Sequence, residues 1–233
     1  MPNATRKIVI AIDGPAASGK SSTAHRVADR LGLRHLDSGA LYRAATAAAL
    51  MQGADPEGWT PQFVLEAARI VTLTEFARSF APSLDGEALD AELRRAEVTK
   101  HVSRVAQMQP VRDWVNALVR STARSFDIVV DGRDMGTVVF PDADLKVYLV
   151  ADPWERARRR LIQTISRSPT DEEIAAETDR IVRRDAADAT QSAAAKDAVL
   201  IDTTYVTQEE QVERIVALAT SAIHSRAVRG QAR

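Results

Sequence analysis

Between Lys7 and Thr23 an apolar run, KIVIAID, breaks into GPAASGKSST, and no other stretch constrains the chain as strongly. Ile8, Val9, Ile10 and Ile12 are β-branched and form an unbroken run, which predicts a strand buried on both faces. Gly14 and Gly19 then bracket a loop ending in Lys20-Ser21, the spacing G-x-x-x-x-G-K-[ST]. Glycines in such a loop let backbone N–H groups turn inward around anionic oxygens. The helix that follows adds its positive N-terminal end, Lys20 adds a full charge, and the Ser21 hydroxyl suits Mg²⁺. The expected ligand is a nucleoside triphosphate.

Composition narrows the setting. A chain of 233 residues holds one α/β domain with an insertion, or at most two small domains. No stretch approaches the ~18 consecutive apolar residues of a membrane helix, and MPNATRKIVI lacks signal-peptide anatomy. With no cysteine there is no disulfide framework and no thiolate metal site, so a cytoplasmic location is expected. A net charge of −1 argues against an extended nucleic-acid-binding face. The basic residues are lopsided, 26 arginines to five lysines. Codon composition and a need for bidentate phosphate binding both account for that, and composition does not separate them.

Further core strands are expected at Leu33–Leu36, Ile128–Val130, Leu145–Val150 and Val199–Ile201. Helices are expected at Ser21–Leu31, Leu41–Met51, Val111–Arg124, Pro153–Ser166 and Gln208–Ser225. Strands alternating with helices predict a parallel sheet covered on both faces, with ligands beyond the carboxyl ends of its strands. Residues 56–105 break the alternation. Ile70–Leu73, Ser79–Leu84 and Glu87–Leu93, with a turn at Asp85-Gly86, predict a small β-rich insertion. Thr170 and Glu173 have capping-box spacing, so a helix should begin near Asp171, and the last residues, SRAVRGQAR, read as a frayed tail.

Asp131 ends an apolar strand, where the Mg²⁺-associated carboxylate of many P-loop enzymes lies, and Gly132-Arg133-Asp134 follows it. Asp37-Ser38-Gly39-Ala40-Leu41-Tyr42-Arg43 offers a hydroxyl, an aromatic ring and an arginine after the second strand. Arg112 opens a helix after Pro110, Arg184 and Asp188 lie one helical turn apart, and Arg156, Arg159, Arg160 and Gln163 share one helix face. His25, His35, His101 and His224 have no ligand-like spacing. This collection suits phosphoryl transfer to an acceptor that is already an anion. A nucleoside monophosphate, with a second phosphate pKa of about 6, needs neutralisation and alignment more than a general base.

Through IDGPAASGKSS, LDSGALYRA, SRVAQMQPVR, VVDGRDMGTVVFPDADLKVYL and RRDAAD the chain resembles the bacterial cytidylate kinases, over about residues 7–220. The resemblance implies a nucleoside-monophosphate kinase fold: a five-stranded parallel sheet flanked by helices, in a single kinase domain. Its core would comprise 7–55, 106–166 and 193–226, with a substrate-side insertion at 56–105 and a lid region at 167–192. It implies transfer of phosphate from ATP to CMP and dCMP with Mg²⁺. A monomer with neither nucleic-acid nor membrane partners is expected. Gly14, Pro15, Ala16, Ala17, Ser18, Gly19, Lys20, Ser21 and Ser22 would hold the ATP phosphates, and Ser21 and Asp131 the metal. Lys20, Arg133 and Arg159 would stabilise transferred charge, the arginines of 156–160 belonging to the lid region. Arg43 and Arg133 would grip the CMP phosphate, Ser38 and Tyr42 would line the acceptor site, and Arg184 and Asp188 would hold the ribose. Ser103, Arg112 and Asp134 would read the cytosine edge, whose exocyclic amine suits a carboxylate.

One position departs from the resemblance. The family pattern RDxxDxxR ends in arginine, whereas here Gln191 stands at that place, which predicts a higher KM for CMP. Two other readings stay open on sequence: a P-loop kinase for another acceptor such as UMP or AMP, and a non-catalytic nucleotide-binding regulator.

Overall fold

The computed structural model describes residues 6–84 and 86–231. In chain order the elements are β1 (Val9–Asp13), α1 (Lys20–Leu31), β2 (Arg34–Asp37), α2 (Ser38–Met51), α3 (Pro61–Ala67), β3 (Val71–Phe76), β4 (Ser79–Leu84), β5 (Glu87–Ala88), α4 (Asp90–Leu93), α5 (Ala96–Gln107) and α6 (Gln109–Ser125). After them come β6 (Ile128–Gly132), β7 (Leu145–Val150), α7 (Pro153–Thr164), α8 (Asp171–Asp188), β8 (Val199–Asp202) and α9 (Gln208–Gln231). The chain divides into two compact units, one holding Leu33–Ile128, the other Ile8–Gly32 and the chain from Val129 onward.

In the first unit β4 runs parallel to β2, pairing His35 with Ser79 and Leu36 with Phe80. β3 and β5 both pair antiparallel with β4. Thr72 and Thr74 reach the buried hydroxyl of Ser83 across the β3–β4 ladder, at 2.9 and 2.7 Å, a cross-strand polar pairing that fixes register. The β-rich insertion expected over 56–105 is corrected to mixed α and β structure. Thr60 caps α3 through the Phe63 N–H, with Pro61 in the first turn, and α5 buries Val98, Val102 and Val105 at helical spacing. Short strands bounded by glycine were visible in the sequence, whereas short amphipathic helices among them were not. Asp85 of the expected turn lies outside the described residues. α2 is buried nearly all round, with Ala44, Ala45 and Ala47–Ala49 inside, so small residues let its neighbours approach closely.

The second unit follows the α/β pattern. Its strands lie in the order β6, β1, β7, β8; β1 is parallel to β7, with Ile12 opposite Val147, and β7 is parallel to β8. Every residue of β1 and β6 is buried, as their unbroken apolar runs require. In β8, the outermost strand of this unit, only Ile201 is buried. α1 and α9 are joined by Thr23 and Gln211, 3.2 Å apart and both buried, and by Arg26 and Arg30, which both pair with Glu209. The expected frayed tail is also corrected, since α9 continues through Gln231. The capping box is present, Thr170 accepting the Glu173 N–H and Glu173 accepting the Thr170 N–H.

Candidate active site

The loop after β1 is the centre of the second unit's polar residues. At Gly14 any side chain is barred: a Cβ there would stand 2.4 Å from the carbonyl oxygen of Leu149 in β7, a backbone atom that cannot step aside. Gly19, at φ 86°, turns the chain into α1 as its N-terminal residue without a side-chain cap. An uncapped helix start of this kind is suited to an anion. Ser18 Oγ is buried without a hydrogen-bond partner, and Lys20 Nζ donates to the Pro15 carbonyl at 2.6 Å. Ser22 Oγ turns back to the carbonyl of Gly19 at 3.0 Å.

Ser21 Oγ donates to Asp131 Oδ2 at 2.5 Å, so α1 and β6 bring a hydroxyl and a carboxylate to one point. Among the described residues no three or more His, Asp or Glu side chains gather as a metal cage. A hydroxyl and one carboxylate still fit Mg²⁺, which takes hard oxygen donors, keeps several waters, and is commonly completed by substrate phosphates.

Asp13, the last residue of β1, is a buried carboxylate of this site that was not singled out on sequence. Its Oδ1 accepts the Met135 N–H at 2.9 Å and its Oδ2 the Gly136 N–H at 2.7 Å. Burial pushes its carboxyl up to about 6; the two N–H groups and nearby Lys20 pull the other way, and nearby Asp134 adds to the rise. Asp13 thus fixes the segment that carries Arg133 and Asp134. The signal available was its place: a carboxylate at the carboxyl end of a fully apolar strand, next to Gly14.

Arg133 donates from Nη1 to the Gly14 carbonyl at 2.8 Å and from Nε and Nη2 to Asp188 Oδ2 at 3.3 and 3.2 Å. Arg184 stands 3.9 Å from the same oxygen, and Asp134 is buried at 3% exposure at the start of the turn Met135–Val139. The arginines of α7, grouped on one face in the sequence, go to three different places. Arg156 is buried against the P-loop, donating to the Ala16 carbonyl at 2.8 Å and to Asp185 Oδ2 at 2.6 Å. Arg159 is fastened to the carbonyls of Thr203 and Thr204, the latter at 2.8 Å, and Arg160 pairs with Glu177 at 3.0 Å. Asp185 was also passed over; it sits three residues before Asp188 within the quoted RRDAAD. Gln191 ends the short turn Ala189–Gln191 that follows α8 and is half-buried.

The first unit holds the remaining candidates. Asp37 caps α2 by accepting the Ala40 N–H at 3.2 Å, which starts the helix at Ser38 and places Ser38, Tyr42 and Arg43 in its first two turns. Arg43 Nη1 donates to the Leu93 carbonyl and the Thr99 hydroxyl, both at 3.2 Å. Arg112, only 7% exposed, donates to the Ala106 carbonyl at 3.0 Å, and its guanidinium lies 6.0 Å from the centre of the Tyr42 ring. Ser103 lies on α5 and is half-buried. Arginine, ring and hydroxyls of this kind suit a flat polar ligand bearing an anion.

Residues 10–221 match the family described as Cytidylate kinase. The cytidylate kinase of Chloroherpeton thalassium is 40% identical, over 96% of this chain and 98% of that protein. That of Pelodictyon phaeoclathratiforme is 43% identical over 92% and 95%, and that of Thermus thermophilus 43% over 90% and 97%. Because that match runs over residues 10–221 and these relatives are 40% or more identical along at least 90% of the chain, the chain belongs to the cytidylate kinase family.

Proposed function

We propose that this protein transfers the γ-phosphoryl group of ATP to CMP and dCMP, giving ADP and the corresponding diphosphates, with Mg²⁺ as the metal. The observation that carries the reading is the loop Gly14–Ser22 with Lys20 and the Ser21–Asp131 pair at its end, in a chain of this family. Ser21 and Asp131 would hold Mg²⁺, which supplies charge neutralisation on the phosphates when bound. The N–H groups at the start of α1 receive phosphate oxygens. Lys20 leaves the Pro15 carbonyl for the transferring group, where its charge matters most as charge shifts onto the leaving oxygen.

The acceptor phosphate is largely dianionic near pH 7, so the residues around it have to align it and offset its charge; no base is required. Arg43 and Arg133 are the groups we assign to that phosphate. Ser38 and Tyr42 would line the acceptor site. We assign Ser103, Arg112 and Asp134 to the cytosine edge, and Arg184 and Asp188 to the ribose. Arg159 and its neighbours in 156–160 are assigned to the donor side with the lid region, 167–192, and 56–105 to the acceptor side. With no cysteine in the chain, we place the enzyme in the cytoplasm; we take it to act as a monomer with no nucleic-acid or membrane partner. Among the described residues no helix is long and apolar enough to cross a membrane.

The test is Mg²⁺-dependent ADP release from ATP with CMP, dCMP, UMP and AMP offered separately. Rapid turnover with CMP and dCMP and little with UMP or AMP is expected. Preference for UMP or AMP would overturn the assignment of the base-reading residues, and no turnover with any acceptor would overturn the enzymatic reading.

A further inference from the structure

The carboxylate of Asp185 closes a ring of hydrogen bonds on the P-loop. Its Oδ1 accepts the Ala16 N–H at 3.1 Å and its Oδ2 accepts Arg156 Nη1 at 2.6 Å. The same Nη1 donates to the Ala16 carbonyl at 2.8 Å, and Arg156 Nε donates to the Ala151 carbonyl at 3.1 Å. Both polar groups of one P-loop residue are thus taken by a charged pair, one member on α7 and the other on α8. Arg156 is 4% exposed, so this pair operates where charge-assisted hydrogen bonds are strong and directional. Apolar contacts back it up: Ala17 of the loop and Leu161 of α7 pack against the cluster of Ala157, Ile174 and Ile181.

One turn further along α8, Asp188 is bound by Arg133, which in turn donates to the Gly14 carbonyl. The last turns of α8 are therefore tied to the P-loop twice, at Ala16 through Asp185 and at Gly14 through Asp188 and Arg133. Arg184 and Asp188, which flank or follow Asp185 on α8, cannot shift with respect to the loop without stretching the Asp185 ring. A polyphosphate entering the loop would settle close to the Asp185 carboxylate. That charge is tolerable there only while Arg156 holds it and keeps it turned to the Ala16 N–H.

We infer that Asp185, gripped by Arg156, is a positioning residue that couples occupancy of the P-loop by a nucleoside polyphosphate to the placement of Arg184 and Asp188 for the acceptor nucleotide. Each ligand then tightens the other, and by linkage the two effects are equal. The inference rests on the reading above that ATP occupies the P-loop and CMP is held by Arg184 and Asp188.

The experiment uses the non-reacting pair ADP and CMP. The Kd of ADP is measured by calorimetry with and without saturating CMP, for the wild type, Asp185→Asn and Arg156→Lys. For the wild type CMP should tighten ADP by about fivefold or more, the lower end of ordinary coupling between sites. In Asp185→Asn the ratio should fall close to one while ADP alone still binds, because the amide cannot serve both the Ala16 N–H and the guanidinium as the carboxylate does. Arg156→Lys, which keeps the charge and loses the fork, should reduce the ratio in part. A wild-type ratio in both variants, with only a lower Tm, would reduce the ring to a structural brace and overturn the inference. A ratio of one in the wild type, or tighter ADP binding by Asp185→Asn in the absence of CMP, would overturn it as well. Should Asp185→Asn fail to fold, the ratio in Arg156→Lys decides by the same criterion. Absence of ADP and CMP binding in the wild type would overturn the proposed function itself, a result distinct from all of these.

Discussion

The hydroxyl of Ser21 and the carboxylate of Asp131 meet at 2.5 Å, joining the first turn of α1 to the carboxyl end of β6. On the proposed reading these two hard oxygen donors, beside the first turn of α1, would hold the divalent cation. Asp131→Asn should raise the Mg²⁺ concentration needed for half-maximal rate by about tenfold or more, the scale set by losing a group that holds a metal. The KM for CMP should change little. Titrating Mg²⁺ at saturating ATP and CMP checks this, and an unchanged Mg²⁺ requirement would remove Asp131 from the metal site.

Lys20 is 8% exposed and its ammonium rests on the carbonyl of Pro15 within its own loop. On the proposed reading that charge matters most as negative charge shifts onto the leaving oxygen. Lys20→Ala should lower kcat by about 10²-fold or more, the loss typical when one preorganised electrostatic contact to the transition state is removed. The KM for CMP should move far less. Steady-state kinetics at saturating Mg²⁺ distinguish the two parameters, and near-normal turnover would take Lys20 out of the mechanism.

Sequence alone exposed the parts of this site whose chemistry depends on adjacent residues. The glycine loop is contiguous, and the strand before it is uniformly apolar, so both could be read from Lys7–Thr23. Asp37, Ser38, Tyr42 and Arg43 follow from a strand end and a helix start only a few residues apart. What stayed hidden were partners distant in sequence. Nothing in RARRR says that Arg156 turns to the P-loop while Arg159 turns to Thr203 and Thr204, since that depends on how α7 lies against α8 and the turn after β8. Asp13 and Asp185 were missed for the same reason: their partners, Met135, Gly136, Ala16 and Arg156, lie between 29 and 169 residues away. The helices α3 and α5 were missed for different reasons: the seven residues of α3 are too few to display a helical period, whereas α5 carries a clear apolar face at Val98, Val102 and Val105 that the strand-like segments before it overshadowed.

Asp134 is buried next to the segment that Asp13 fixes. An ionised carboxylate accepts only, so it suits the exocyclic amine of cytosine and opposes the O4 of uracil at the same place. Asp134→Ala should therefore shrink the preference for CMP over UMP by about tenfold or more, the value of one hydrogen bond to a charged group. The maximal rate with CMP should fall less than the preference. Comparing kcat/KM for the two acceptors gives the answer, and an unchanged ratio would mean the base is read elsewhere.

The carboxyl of Asp13 gives the fold a pH dependence of definite sign. In the unfolded chain it ionises near 3.8; in the folded protein burial raises it to about 6. Lys20 of α1 and the N–H groups of Met135 and Gly136 favour the charged form, Asp134 opposes it, and Gly136 is backed by the Lys146 stem from β7. Between these two values the folded state keeps a proton that the unfolded state has released, so stability falls as pH rises from about 4 to 6 and levels off above that. From pH 4.5 to pH 7 the loss attributable to Asp13 is on the order of 2 kcal/mol. Asp13→Asn removes the titration. It keeps one acceptor and sets an amide NH₂ against the second N–H, so it should be less stable than the wild type at pH 4.5 and should recover relative to it as pH rises to 7. Urea unfolding of both proteins without nucleotide, at half-unit steps across that window, measures the difference directly. A difference that stays flat from pH 4.5 to 7 would show that the Asp13 carboxyl ionises at the same pH in the folded and unfolded chain.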